Sequence, residues 1–400
     1  MIRGRREARP SAAEAGEGIR PGIENLPDSP LVRGARRIGL VAHPASLTVG
    51  GEHSCDYLLR QRLPLAALFG PEHGFFGRAG PGDAVAGGVH PALGLPIYSL
   101  YGETRAPTTA MLEGLDLMIF DLQTLACRAY TYVSTLRLVM EACAARHIPL
   151  VVADRADPLM FTAPDGPMLA AAYSSFVALA PVPFVYGLTP GEVAWQLKAT
   201  LPLPQLDLLV ARVHGLARPV SKASHARKAR PGGGGEEVAD DSLAQLRTLF
   251  PGAFPVPSPA IRNLEAALCF PATVFLEALP YFSHARASDQ AFQVVSAPDL
   301  DVGEALGRLR DEELPGVELT RQPDPTTGRE GIGLCVTSPV RYLPAKTGKA
   351  LLKVLEILYA SRGGLWTTPG ARPEWLQKLW GAPAEAPFAS PAAFVPRRFY

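Results

Sequence analysis

Four hundred residues with 47% hydrophobic and 19% charged side chains are enough to bury sizeable cores in one large domain or two. The 39 Lys and Arg against 38 Asp and Glu leave no net field to gather nucleic acid or anionic lipid, and no basic stripe interleaves with aromatics. Nucleic acid is thereby excluded as a partner.

Residues 1–20 are charged and Ala/Gly-rich and are expected as a disordered tail. Their basic start is not followed by the apolar run of a secretory signal. Apolar runs elsewhere, such as residues 115–122 with Asp116 and Asp121 inside, are too short for a bilayer, so no membrane insertion is expected. Cys55, Cys127, Cys143, Cys269 and Cys335 are scattered and lack CxxC spacing. That pattern argues for reduced thiols in a cytoplasmic protein and against a zinc site or disulfide framework.

From 21 to 200, strand-like runs at 37–42, 65–69, 97–100, 115–122 and 149–153 alternate with helical segments. Between the last two, Val133, Leu136, Val139, Met140 and Cys143 recur at helical spacing. The alternation predicts βαβ units and a Rossmann-like parallel sheet. Thr189-Pro190-Gly191-Glu192 reads as a helix start with a capping box. Residues 201–380 are expected as a smaller α/β domain, with strands at 206–213, 317–321 and 331–337. Its expected helices lie at 258–270, 302–309 and 346–360. Within it, residues 221–241 run basic, then glycine, then acidic, the composition of a flexible loop. Residues 381–400 are a Pro/Ala-rich arm.

Three strand ends carry polar groups. The run 65–69 stops at Gly70-Pro71-Glu72-His73-Gly74, which sets a carboxylate beside an imidazole where an open α/β sheet gathers ligands. The next closes on Asp121 and Gln123, with Arg128, Tyr130 and Tyr132 soon after; the third closes on Asp154 and Arg155. Together they predict a polar cleft for a small polyhydroxylated ligand. Taken singly, Asp154–Arg155 and Asp121–Arg128 also read as structural ion pairs. His43-Pro44-Ala45-Ser46 stands where a dinucleotide site needs GxGxxG, and neither a GxSxG elbow nor HExxH is present. No cofactor and no metal are expected.

The runs Gly22-Ile23-Glu24-Asn25-Leu26, Ala67–Gly74, Leu95–Arg105, Phe120-Asp121-Leu122-Gln123, Tyr130-Thr131-Tyr132, Asp154-Arg155 and Asp165-Gly166-Pro167 resemble the NamZ-like peptidoglycan exo-β-N-acetylmuramidase family. The resemblance spans residues 21–380. It implies a Rossmann-like domain, a smaller α/β domain and a cleft between them. The implied activity is release of terminal N-acetylmuramic acid from a small saccharide or muropeptide, as in cell-wall recycling. Glu72 falls on the family's catalytic candidate beside His73, and Glu277 on a second family glutamate. Glycosidic cleavage needs an acid and a base or nucleophile; Glu72 is expected as the acid and Glu277 as its partner. Asp121, Gln123, Tyr132, Asp154 and Arg286 are expected substrate contacts. Arg128 and Arg155 suit the lactyl carboxylate that separates muramic acid from glucosamine. Two departures stand out: Thr124 replaces an acidic residue, and Ser283–Ser288 replaces a Glu-Gly-Arg-Gly-Thr-type loop, with His284 at the glutamate. They open the alternative of a catalytically impaired, sugar-binding homologue.

Overall fold

The computed structural model describes residues 18–219, 240–250, 254–383 and 394–400. The tail expected over 1–20 and the loop over 221–241 lie outside those residues, apart from 18–20 and 240–241. Of the arm over 381–400, residues 381–383 and 394–400 are described.

The short apolar runs become strands: β1 Ile38–Ala42, β2 Leu65–Gly70, β3 Gly88–Val89, β4 Pro96–Ser99, β5 Leu117–Asp121 and β6 Leu150–Ala153. β7 Asp165–Met168 and β8 Pro183–Val185 form a separate antiparallel pair, and β9 Leu208–Ala211 returns to the main sheet. That sheet has seven strands in the order β3-β4-β2-β1-β5-β6-β9, parallel throughout except at β3. Its last strand therefore comes from beyond the boundary expected at residue 200.

Both faces of the sheet are covered, which is why β1 and β5 are buried along their whole length. Alternate residues serve the two faces. Leu117 and Ile119 join Ile23, Leu26, Cys55 and Leu58 on one side. Met118 and Phe120 join Val133, Leu136 and Met140 of helix Tyr132–Arg146 on the other. Helix Pro190–Thr200 starts with the expected capping box, Thr189 accepting from the Glu192 N–H and Glu192 from the Thr189 N–H.

The C-terminal half holds a three-stranded antiparallel sheet, ordered β10-β12-β11, from β10 Val294–Val295, β11 Val317–Pro323 and β12 Glu330–Val336. Helices Leu264–Thr273 and Val302–Leu309 pack on it, helix Pro344–Tyr359 packs against both of these, and helix Pro373–Trp380 packs against the turn Val274–Ala278. The first was expected from residue 258 but begins at Leu264, because Pro259 disfavours helix just before it and Asn263 supplies the cap, accepting from the Ala266 N–H. One apolar cluster runs from Val41 and Phe120 through Leu268 and Leu334 to Trp380, so the two halves share a core.

Candidate active site

At the end of β2 the chain doubles back sharply. A Cβ on Gly70 would lie 2.4 Å from the Phe75 nitrogen, so only glycine fits there. His73 (φ 69°) and Gly74 (φ 80°) then both take left-handed backbone. For histidine this is a strained conformation. It is held because the Ala79 N–H donates to the His73 carbonyl at 3.2 Å and the ring Nδ1 donates to the Ala79 carbonyl at 2.9 Å. With Nδ1 protonated, Nε2 is the acceptor of the neutral ring.

This reversal projects Glu72, and both of its oxygens find donors. Oε1 accepts from the Gly82 N–H at 2.9 Å and Oε2 from the Thr131 hydroxyl at 2.7 Å. Thr131 is the N-cap of helix Tyr132–Arg146 but makes no capping hydrogen bond with its side chain. Its hydroxyl serves Glu72 instead, which brings the carboxylate to the positive end of a 15-residue helix. The Tyr132 hydroxyl lies 3.3 Å from the Glu72 carbonyl and 3.1 Å from that of Pro257, to which Tyr130 also donates at 2.8 Å. Burial and then the Glu72 charge push the Tyr101 phenol up to about 12, and Arg105 stacks on the Tyr101 ring.

The second wall comes from the C-terminal half. Glu277 lies in the 3-10 turn Val274–Ala278, and Arg286 donates to its Oε1 at 2.9 Å. Burial raises the Glu277 carboxyl above the ordinary range, Arg286 opposes the rise, and the charge of Glu72 adds to it. Arg372 donates to the Glu277 carbonyl. His284 packs against the Phe292 ring, and burial together with the Arg286 charge pulls its pKa down to about 4. The walls enclose a cleft of about 690 Å³, large enough for a small ligand.

Glu72, His73, Tyr132, Glu277 and Arg286 line this cleft. The remaining expected contacts do not. β2, β5 and β6 run parallel, so Glu72, Asp121 and Asp154 do share one sheet edge, but Asp121 and Asp154 are buried behind it. Arg155 grips Asp121 through two bonds of 2.6 and 2.8 Å and donates to the Leu47 carbonyl, so this pair is structural. Asp154 accepts from Thr189, Gly191 and Tyr400, tying helix Pro190–Thr200 and the C-terminal residues to β6; burial lifts its pKa to about 6. Arg128 is wholly enclosed and donates to the carbonyls of Pro167, Val182 and Trp380. The expected pairing of Asp121 with Arg128 is replaced by Asp121 with Arg155. Gln123 donates to the Ala156 carbonyl and, with Arg155, borders a separate cavity of about 280 Å³.

Tyr101, Thr131, His284 and Arg372 belong to the cleft without having been singled out as site residues. Tyr101 and Thr131 lie inside runs that carried the resemblance. Arg372 has no local pattern to mark it.

A family model for the N-terminal domain of the exo-β-N-acetylmuramidase NamZ matches residues 38–225, and the model for its C-terminal domain matches residues 268–386. The chain is 32% identical over 350 residues to the peptidoglycan β-N-acetylmuramidase NamZ of Bacillus subtilis (strain 168), covering 85% of this chain and 78% of that protein. Among solved structures it is similar to a DUF1343 family protein of Bacteroides fragilis, with a TM-score of 0.76 and 26% identity, covering 91% of this chain and 89% of the other. A second DUF1343 protein of that organism shares the fold at a TM-score of 0.59 and 23% identity, covering 92% of this chain and 89% of the other. Matched in both halves and along most of its length, the chain belongs to the NamZ exo-β-N-acetylmuramidase family.

Proposed function

We infer that the chain is a glycoside hydrolase that releases terminal N-acetylmuramic acid from peptidoglycan fragments. The observation that carries this reading is a cleft with two glutamates, Glu72 from one half of the chain and Glu277 from the other, close enough that the charge of one bears on the other. Cleavage needs a proton for the leaving oxygen and a carboxylate as base or nucleophile. Glu277, whose carboxyl burial keeps protonated to higher pH, is suited to the first task. Glu72, both of whose oxygens accept hydrogen bonds, is suited to the second. This reverses the assignment expected from the sequence. Arg286 and Arg372, the arginines lining the cleft, take the role foreseen for Arg128 and Arg155 as readers of the lactyl carboxylate. The departures at Thr124 and His284 remove neither glutamate. The substrate class points to cell-wall turnover, and the free cysteines favour a cytoplasmic site of action.

The test is turnover of a chromogenic N-acetylmuramic acid glycoside by Glu72→Gln and Glu277→Gln. Each variant should lose about 10²–10⁴ in kcat while still binding N-acetylmuramic acid. A wild-type protein that binds the sugar but shows no turnover would overturn the hydrolase reading in favour of a binding protein.

A further inference from the structure

One polar side chain of the cleft has no part in the hydrolytic chemistry. His284 lines it next to Arg286, and neither ring nitrogen has a hydrogen-bond partner among the described residues. Native proteins keep few buried polar groups in that state, and a binding site is where a ligand completes the pairing. Both nitrogens are closed off from solvent although the residue lines the cleft. A half-turn about its Cβ–Cγ bond exchanges each nitrogen with a ring carbon, and this is the rotation that would offer a nitrogen to a ligand in the cleft.

The surroundings narrow the partner. Phe282 and Phe292 line the cleft with His284, whose ring centre is 5.2 Å from that of Phe292. The charges bearing on the ring are Arg286 and Asp324, and burial outweighs both, so the imidazole is neutral around pH 7. The nitrogen turned to the cleft is then a donor or an acceptor according to tautomer. A carboxylate accepts only, and the arginines already suit it. A secondary amide with a methyl group meets either tautomer, through its C=O or its N–H, and gives the phenyl rings an apolar tail to pack on. We propose that His284 is a specificity-determining residue that binds the acetamido group of an N-acetylated sugar, with Phe282 and Phe292 receiving its methyl. The identity of the sugar rests on the hydrolase reading above.

The experiment is calorimetric titration of the full chain with two sugars. One is N-acetylmuramic acid; the other is 3-O-(1-carboxyethyl)glucose, which carries a hydroxyl in place of the acetamido group and keeps the carboxylate. Wild type should favour the N-acetylated sugar by about tenfold. His284→Ala should erase most of that preference by weakening the acetamido sugar alone. His284→Gln, which keeps a neutral donor and acceptor, should retain most of it. A preference that survives intact in His284→Ala, or an equal loss for both sugars, overturns the assignment and leaves the hydrolase reading standing. A wild-type chain that binds neither sugar overturns both.

Discussion

Arg128 shows how far a residue type is from a role. An arginine soon after a strand end is what a carboxylate-binding cleft calls for, yet here its guanidinium holds three backbone carbonyls, from Pro167, Val182 and Trp380. With no carboxylate among those partners, burial lowers its pKa to about 9. Arg128→Ala should therefore leave the preference for N-acetylmuramic acid over N-acetylglucosamine unchanged. It should lower stability by about 2–4 kcal/mol, because buried carbonyls lose their donors. Denaturant midpoints measure the second effect and competitive binding the first. Arg128→Lys should rescue little, since an ammonium lacks the planar fork that reaches separate carbonyls. A selective loss of muramic acid binding in Arg128→Ala would return this residue to the site.

At the scale of elements, strands were legible wherever burial on both faces made an unbroken apolar run, as at Leu117–Asp121 and Leu150–Ala153. Helix Pro190–Thr200 was legible because its cap is local. What the sequence hid was contact at a distance: Thr131 serves Glu72 from 59 residues away, and the partners of Arg128 lie up to 252 residues off. Thr124 belongs to the same class. Its hydroxyl donates to Asp157 Oδ2 at 2.8 Å, while Asp157 Oδ1 accepts from the N–H groups of Ala126 and Leu159. Thr124 thus joins the loop after β5 to the loop after β6, and an acidic residue in its place would set two carboxylates against each other. Burial pushes Asp157 up to about 7. Its folded pKa is above the unfolded value, so the native state holds this proton more tightly, and its contribution to stability falls as pH rises from about 4 through 7. Asp157→Asn keeps the acceptor for both N–H groups and removes that penalty, with the Thr124 hydroxyl turning to accept from the new amide. It should stabilise the fold by roughly 2–4 kcal/mol at pH 8 and by almost nothing near pH 4. Melting curves across that range check it, and a gain that does not depend on pH would refute the account.

For the molecule as a whole, the cleft exists only while the two halves stay docked, because each supplies one glutamate. The docking is not a surface contact alone. The apolar cluster is continuous across it, the Pro257 carbonyl takes the hydroxyl of Tyr130, and the Trp380 carbonyl takes Arg128. Asp165, on β7, reaches across to the start of helix Pro344–Tyr359, where its Oδ2 accepts from the N–H groups of Ala345 at 2.7 Å and Lys346 at 3.2 Å. A helix whose own N-cap residue, Leu343, has no side-chain acceptor is thus capped by the other half of the chain. Asp165→Ala removes that cap and should cost about 1–2 kcal/mol. Because the halves share a core, the loss should appear as a lower melting temperature of one cooperative transition. It should also lower kcat if this contact helps hold the two walls of the cleft together. Scanning calorimetry paired with turnover makes the distinction. If Asp165→Ala splits the melt into two peaks, the halves unfold independently and the cleft is held by contact rather than by a common core.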